Sequence, residues 1–457
     1  MIRVGAQMRR SDRRRKLSFG QIAWLYYFPF LFFPRLGLVG RTQFGVLELS
    51  DLLICPYLIL VVLQVRWRGR TLGSQLVPLM LLFFGWALVV TLLITVRYRY
   101  NDSLHLFLSL LKLVKFAVYG LAGMLTAKAL RNDRVRQEFI RSLALAGIVT
   151  GIGLFFVGQK SAITEETKAL GYKAINAISV MAAILGSYLC GLWCKHKVES
   201  RWSRCLILIA MASLVVGSAV SEGRGGWVAG IAGVGYLCYR GGLRKQSLLI
   251  IAASPVFFLL LYTFSPGFQQ RVQFTFSQVE PSSGPVDDGG RPENFAKGIE
   301  QFQSSPILGT GFFHRAGETG LYPNGSHNFF LQMFLETGIP GGLLMLAIWW
   351  RLWGLAGLVS AKRAGLDIPA RAALIAAMVG GMSGEYFYGS ISMFSLLAVY
   401  AACNSLPARV FAIRDKEGRR RQMVRGFLRA KSLKSIGSCV EDRAILPEAK
   451  ARIGSTL

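Results

Sequence analysis

Acidic residues are scarce in this chain: Asp and Glu number 24 against 53 Lys and Arg, for a net charge of +29. No Asp-rich motif of the kind that holds Mg²⁺ or Mn²⁺ appears, and Asp287-Asp288 lies in a Gly/Ser/Pro-rich turn, 281–290, that reads as solvated loop. Histidine is rarer still, with His105, His196, His314 and His327 the whole set, so candidates for a base at neutral pH are few. The seven cysteines (Cys55, Cys190, Cys194, Cys205, Cys238, Cys403 and Cys439) avoid every segment that reads as an external loop, which argues against a disulfide framework. Cys190 and Cys194 stand one helical turn apart with no His or carboxylate cluster beside them, so no metal site is expected there. No repeat of fixed period is present, which weighs against transporter folds built from duplicated halves. No small-residue cleavage site follows the first apolar stretch, and further apolar stretches come at once, so a signal peptide is not expected.

Apolar residues are abundant. They make up 53% of the chain, the mean hydropathy is +0.42, and they fall in blocks of about twenty, the length that crosses a bilayer. The fold class expected is all-α, a polytopic membrane helix bundle. The blocks at 22–39, 47–65, 76–96, 104–127, 139–157, 175–193, 205–220, 227–237, 248–264, 339–358, 370–383 and 391–406 predict about twelve spans. The first contains Pro29, Pro34 and Arg35, which predicts a kink or an early end. The organisation is then a basic tail (1–20), a bundle (21–264), one large polar loop with short helices (265–327), a segment with a His-bearing helix and the last three spans (328–408), and a basic tail (409–457).

The positive charge follows the topology. With both termini cytoplasmic, one orientation gathers Arg9 to Lys16, then Arg66, Arg68 and Arg70, then Lys128 to Arg136, on one side, and continues so to the last tail. The basic residues therefore read as topology signals and contacts with anionic membrane lipid rather than as a nucleic-acid surface. The same orientation puts the polar breaks 221–226, 265–327 and 384–390 together on the opposite face.

Lys112 and Lys115 stand inside the fourth span, three residues apart on one helical face. Ionisable groups at that depth face a cavity or a partner. Three readings are open: the lysines line a cavity for an anionic lipid, they pair with Glu48 or Asp51 of the second span, or they simply snorkel.

The external breaks carry the chemistry. Arg224 precedes a span whose N-terminus faces outward, with Gly225 and Gly226 leaving the backbone uncovered. Free N–H groups and a guanidinium fork together form an anion site suited to phosphate. Arg291 repeats this before Pro292, a residue suited to the first turn of a helix, and Phe295, Ile299 and Phe302 give that helix one apolar face. Gly309-Thr310-Gly311 follows as a loop. His327 then opens the pattern 328–336, which ends at the turn signature Thr337-Gly338-Ile339-Pro340-Gly341-Gly342. Only His327 and His314 are placed to act with the two arginines. Two anion sites and one candidate base fit a substrate with a diphosphate head and an apolar tail.

At these residues the chain resembles the O-antigen ligase and O-antigen polymerase superfamily. The resemblance rests on Arg224-Gly225-Gly226-Trp227, on Arg291 followed by Pro306-Ile307-Leu308-Gly309-Thr310-Gly311, and on Ser326-His327-Asn328 leading to Glu336-Thr337-Gly338-Ile339-Pro340-Gly341. One departure is Gly223, after Glu222, where the family often has Ser or Thr before the arginine; any hydroxyl contact from that position is absent or moved to Ser221. The resemblance implies a bacterial inner-membrane enzyme that transfers glycan from an undecaprenyl-diphosphate-linked donor on the periplasmic side, with inversion and with no metal or other cofactor. Arg224 and Arg291 would hold the diphosphate and His327 would act as base, with Glu222, Asn328, His314, Lys112 and Lys115 as supporting candidates. The acceptor, lipid A core, a second lipid-linked glycan or a protein hydroxyl, is left open by motifs that these branches share. A transporter or flippase without chemistry is the rival reading; it predicts charged residues near the bilayer midplane, and only Lys112 and Lys115 lie there.

Overall fold

The computed structural model describes residues 17–32, 49–65, 72–97, 103–130, 133–161, 165–195, 200–220, 223–241, 291–312, 328–356, 365–384 and 391–404, with isolated positions between 259 and 269. The described residues form helices and connecting turns with no strand. In chain order the helices are α1 (Phe19–Tyr27), α2 (Leu49–Gln64), α3 (Leu72–Arg97), α4 (Ser103–Ala129), α5 (Asp133–Ser161), α6 (Glu165–Lys195), α7 (Arg201–Val220), α8 (Arg224–Gly241), α9 (Arg291–Ser304), α10 (Phe329–Ala356), α11 (Asp367–Met382) and α12 (Ile391–Asn404). Six stretches, in α3, α4, α5, α6, α7 and α10, are long and apolar enough to cross a membrane, and shorter apolar helices lie at Ser50–Gln64 and Met393–Ala402. The expected span 248–264 and both basic tails lie largely or wholly outside the described residues.

The first expected span is only partly seen. Ser18 and Gln21 close a reciprocal capping box that starts α1, and a 3₁₀ turn, Phe28–Phe32, follows it. Pro29 explains the change of winding: it has no N–H to give the carbonyl four residues back, at Leu25. That carbonyl accepts instead from the Ser142 hydroxyl of α5. Trp24, Phe28 and Phe32 are wholly buried, and Phe28 packs on Phe139 of α5 and Phe394 of α12 at ring separations of 4.9 and 5.6 Å.

Small residues let the other helices close on one another, as expected where packing rather than water drives association. A side chain at Gly151 of α5 would run into the Ser213 backbone of α7, and one at Gly217 would run into the Gly151 carbonyl. On α8, a Cβ at Gly226 would lie 2.6 Å from the Ser179 carbonyl carbon of α6. α11 joins the same group, with Pro369 against Gly191 and Gly380 against Val180 of α6. α3 packs on both α4 and α10.

Candidate functional site

The site is built around a break in α10. The sequence predicts a turn at Thr337–Gly342, but the helix resumes at once after a single residue, Gly338, with φ 64° and ψ −174°. That conformation is open essentially to glycine alone. A side chain there would also overlap the Ile307 carbonyl.

Pro340 lies just past the break and adds to it. It has no N–H for the carbonyl of Glu336, and the Ile339 N–H is diverted to the Pro306 carbonyl at 2.8 Å, away from Leu335. Three carbonyls at the end of the first half-helix are then satisfied from outside it. Leu335 accepts from the Thr310 N–H at 2.9 Å, Glu336 from the Gly311 N–H at 3.0 Å, and Thr337 from the Trp86 indole N–H of α3 at 2.7 Å. The Gly-Thr-Gly loop therefore docks into the helix break. Gly309 and Gly311 both have positive φ, and a Cβ at Gly309 would lie 2.5 Å from the Gly338 nitrogen.

The loop is held on its other side by α3 and α4. The Phe312 N–H donates to Thr91 Oγ1 at 3.0 Å, and the buried Phe312 ring packs near Phe83 and Phe116 at 6.5 and 6.4 Å. The two remaining glycines of the turn signature make room for neighbours. A Cβ on Gly341 would lie 3.0 Å from Trp86 Cδ1, and one on Gly342 would overlap the Phe334 ring. Phe334 in turn meets Phe302 of α9 edge to face at 6.2 Å.

This arrangement relates the start of α9 to the start of α10. α9 begins at Arg291 and runs toward the docked loop; the first half of α10, Phe329–Thr337, runs toward the same break. The N-termini of α9 and of the first half of α10 are therefore the ends remote from the break, and each presents helix-end N–H groups. Asn328 caps the second of them, its Oδ1 accepting from the Phe330 and Leu331 N–H groups at 3.0 and 3.1 Å. His327 immediately precedes this cap; it lies outside the described residues, as do His314 and Glu222. Gly298 of α9 is buried, while Phe295 and Ile299 remain exposed, so the expected apolar face is only partly covered.

Arg224 is the first residue of α8, and the Gly223 carbonyl accepts from the Gly226 and Trp227 N–H groups at 2.9 and 3.3 Å. Trp227 donates back to the Ser218 carbonyl at 2.8 Å, fixing the corner between α7 and α8. No acidic residue stands in the first turn of α8, so a cation opens a helix end whose dipole favours an anion. That pairing is unfavourable for folding and favourable for holding a phosphate. α8 packs on α6 and α11, and α11 packs on α10, where Arg371 lies over the Trp353 ring.

Lys115 pairs with Asp51 of α2 at 2.6 Å, both side chains nearly buried, and the Tyr119 hydroxyl donates to the same carboxylate at 3.1 Å. Lys112 is half-buried one turn before Phe116, on the side of α4 that meets Phe312. Glu336 is buried and accepts from Gln332 Nε2 at 2.7 Å. Among the described residues no three His, Cys, Asp or Glu side chains converge as a metal site.

Sequence reasoning did not find Trp86, Thr91 or the Gln332–Glu336 contact. One signal was present: Pro340 four residues after Glu336 leaves a carbonyl in need of a donor. Nothing in the sequence says that α3 supplies the neighbouring one.

No curated protein matches the chain. Residues 206–346, from within α7 to the middle of α10, match the family described as O-antigen ligase. That stretch contains the α7–α8 corner with Arg224, the helix of Arg291, the docked loop and the broken helix, and the match supports a likeness to the O-antigen ligase/polymerase superfamily over this part of the chain.

Proposed function

We propose that the protein transfers glycan from an undecaprenyl-diphosphate-linked donor on the periplasmic face of the bacterial inner membrane, in lipopolysaccharide or exopolysaccharide synthesis. The observation that carries the reading is the shared break: α9, which begins at Arg291, and the first half of α10, which His327 precedes in the sequence, are joined at their far ends by the docked loop. An anion site and a base on two arms of one rigid unit suit a reaction in which a diphosphate leaves as a hydroxyl attacks.

In this mechanism the acceptor oxygen bonds to the anomeric carbon opposite the diphosphate, and the bond from that carbon to the phosphate oxygen breaks. The anomeric configuration inverts. His327 takes the acceptor hydroxyl proton, while Arg224 and Arg291 stabilise the charge gathering on the leaving diphosphate. None of these steps draws on a metal. Asn328 supports by capping the helix that follows His327 in the sequence, and Lys112, one turn from Phe116, would meet the anionic head; His314 and Glu222 are supporting candidates from the sequence and lie outside the described residues. Lys115 is held by Asp51 and supports the wall behind Lys112. The preferred acceptor is a glycan, either lipid A core or a second lipid-linked unit.

The test is reconstitution with a lipid-diphosphate glycan in EDTA, with and without lipid A core, comparing wild type with His327→Ala. Transfer to the core that is lost in the variant supports a ligase. Chain growth without core makes the protein a polymerase. A wild type with no His327-dependent product in either reaction sinks the reading and favours transport.

A further inference from the structure

We infer that Trp86 and Thr91 of α3 are positioning residues for this site, fixing the angle between α9, which begins at Arg291, and the first half of α10, which follows His327 in the sequence. The inference rests on the function proposed above. Both residues lie outside the stretch that matches the family, 206–346, so nothing in that match assigns them a role.

Three contacts converge on the joint. The Trp86 indole N–H donates to the Thr337 carbonyl at 2.7 Å, at the last residue before the break, and Thr337 is wholly buried. The Thr91 hydroxyl donates to the Ala87 carbonyl of its own helix at 2.6 Å and accepts the Phe312 N–H at 3.0 Å, at the far end of the docked loop. Gly341 keeps its position free of a side chain where the indole lies, 3.0 Å from the place its Cβ would take. α3 thus grips one side of the joint at the helix and the other at the loop, from two positions five residues apart.

The geometry makes such a grip matter. At about 1.5 Å per residue, α9 extends roughly 20 Å from the joint to Arg291, and the first half of α10 about 13 Å to the residue after the cap. A tilt of about 5° at the base of the longer arm moves its tip by nearly 2 Å. A misplacement on the order of 1 Å is enough to cost a reaction about a hundredfold when it separates reacting groups. Charge attraction between arginine and diphosphate falls off slowly with distance, whereas proton transfer to a base needs contact. Loosening the joint should therefore lower kcat and leave KM for the donor nearly unchanged.

The experiment uses the full-length protein in lipid with the lipid-diphosphate glycan, and compares Trp86→Phe, Thr91→Val and Thr91→Ser with wild type. Trp86→Phe keeps a ring and removes the donor; Thr91→Val keeps the shape and removes the acceptor; Thr91→Ser restores it. We expect kcat to fall at least tenfold in the first two with KM for the donor within about twofold, and to return in Thr91→Ser. Amide hydrogen exchange over 306–312 should quicken in the first two variants only, which reads the joint without any turnover. Wild-type kcat and wild-type exchange in Trp86→Phe and Thr91→Val would overturn the inference, as would a loss carried wholly by KM. A wild type that shows no transfer strikes the proposed function alone, because the exchange arm still decides whether α3 holds the joint.

Discussion

Gly338→Ala is the sharpest perturbation that the structure offers. At φ 64° and ψ −174° an L-residue is strained by about 1–3 kcal/mol, and its Cβ also overlaps the Ile307 carbonyl. The chain can escape that overlap by releasing the loop from the break. Release gives up the bonds from the Thr310, Gly311 and Ile339 N–H groups, each worth about 1 kcal/mol net, or about 3 kcal/mol in all. The two routes cost about the same, so the expected outcome is a loop open for much of the time. At about 1.4 kcal/mol per tenfold, the amides of Thr310 and Gly311 should exchange on the order of a hundredfold faster than in wild type. Gly354→Ala is the matched control, since a Cβ there meets nothing within 4 Å on the same helix. Hydrogen exchange resolved over 306–312 reads both variants. If Gly338→Ala exchanges like wild type and like Gly354→Ala, the loop is not held by the break and the two arms do not share a joint.

Two further outcomes come from the packing. Lys115→Met strands the buried Asp51 carboxylate and should cost about 3–5 kcal/mol, while adding Asp51→Leu should recover most of the loss; thermal unfolding of the singles and the double in detergent checks this, and equal melting of all three with wild type contradicts it. Gly226→Ala pushes a methyl group against the Ser179 backbone and should destabilise by about 1–3 kcal/mol while disturbing the corner of Arg224, whereas Gly235→Ala, which meets nothing within 4 Å, should be neutral. The same unfolding measurement, with abundance in the membrane, compares them.

The helices were legible because a bilayer sets their length and admits few other structures: the blocks at 76–96 and 205–220 became α3 and α7 nearly end for end. The starts of α8 and α9 were legible too, since glycine and proline punctuation falls where helix ends need it. The break in α10 was half legible. Thr337–Gly342 reads as a turn because glycine and proline usually stop a helix, but here Pro306, Thr310, Gly311 and Trp86 supply every bond the break disturbs, so the helix goes on. Those partners are distant in sequence, and no periodicity records them. For the same reason Lys115 stayed open between a cavity, a carboxylate and snorkelling, and only the packing of α2 on α4 selects Asp51.

The burial of Phe28 against Phe394 bears on how the protein is made. Trp24, Phe28 and Phe32 are made long before α12, yet one wall of their pocket belongs to that helix. At roughly 5–20 residues per second, the ribosome needs about twenty to seventy seconds to pass from the first of these rings to its partner. Until then the opening segment has an aromatic side with no final resting place, exposed to lipid or to the insertion machinery. A chain stalled before residue 391 cannot close that pocket, so the arrival of α12 is the step that seals it.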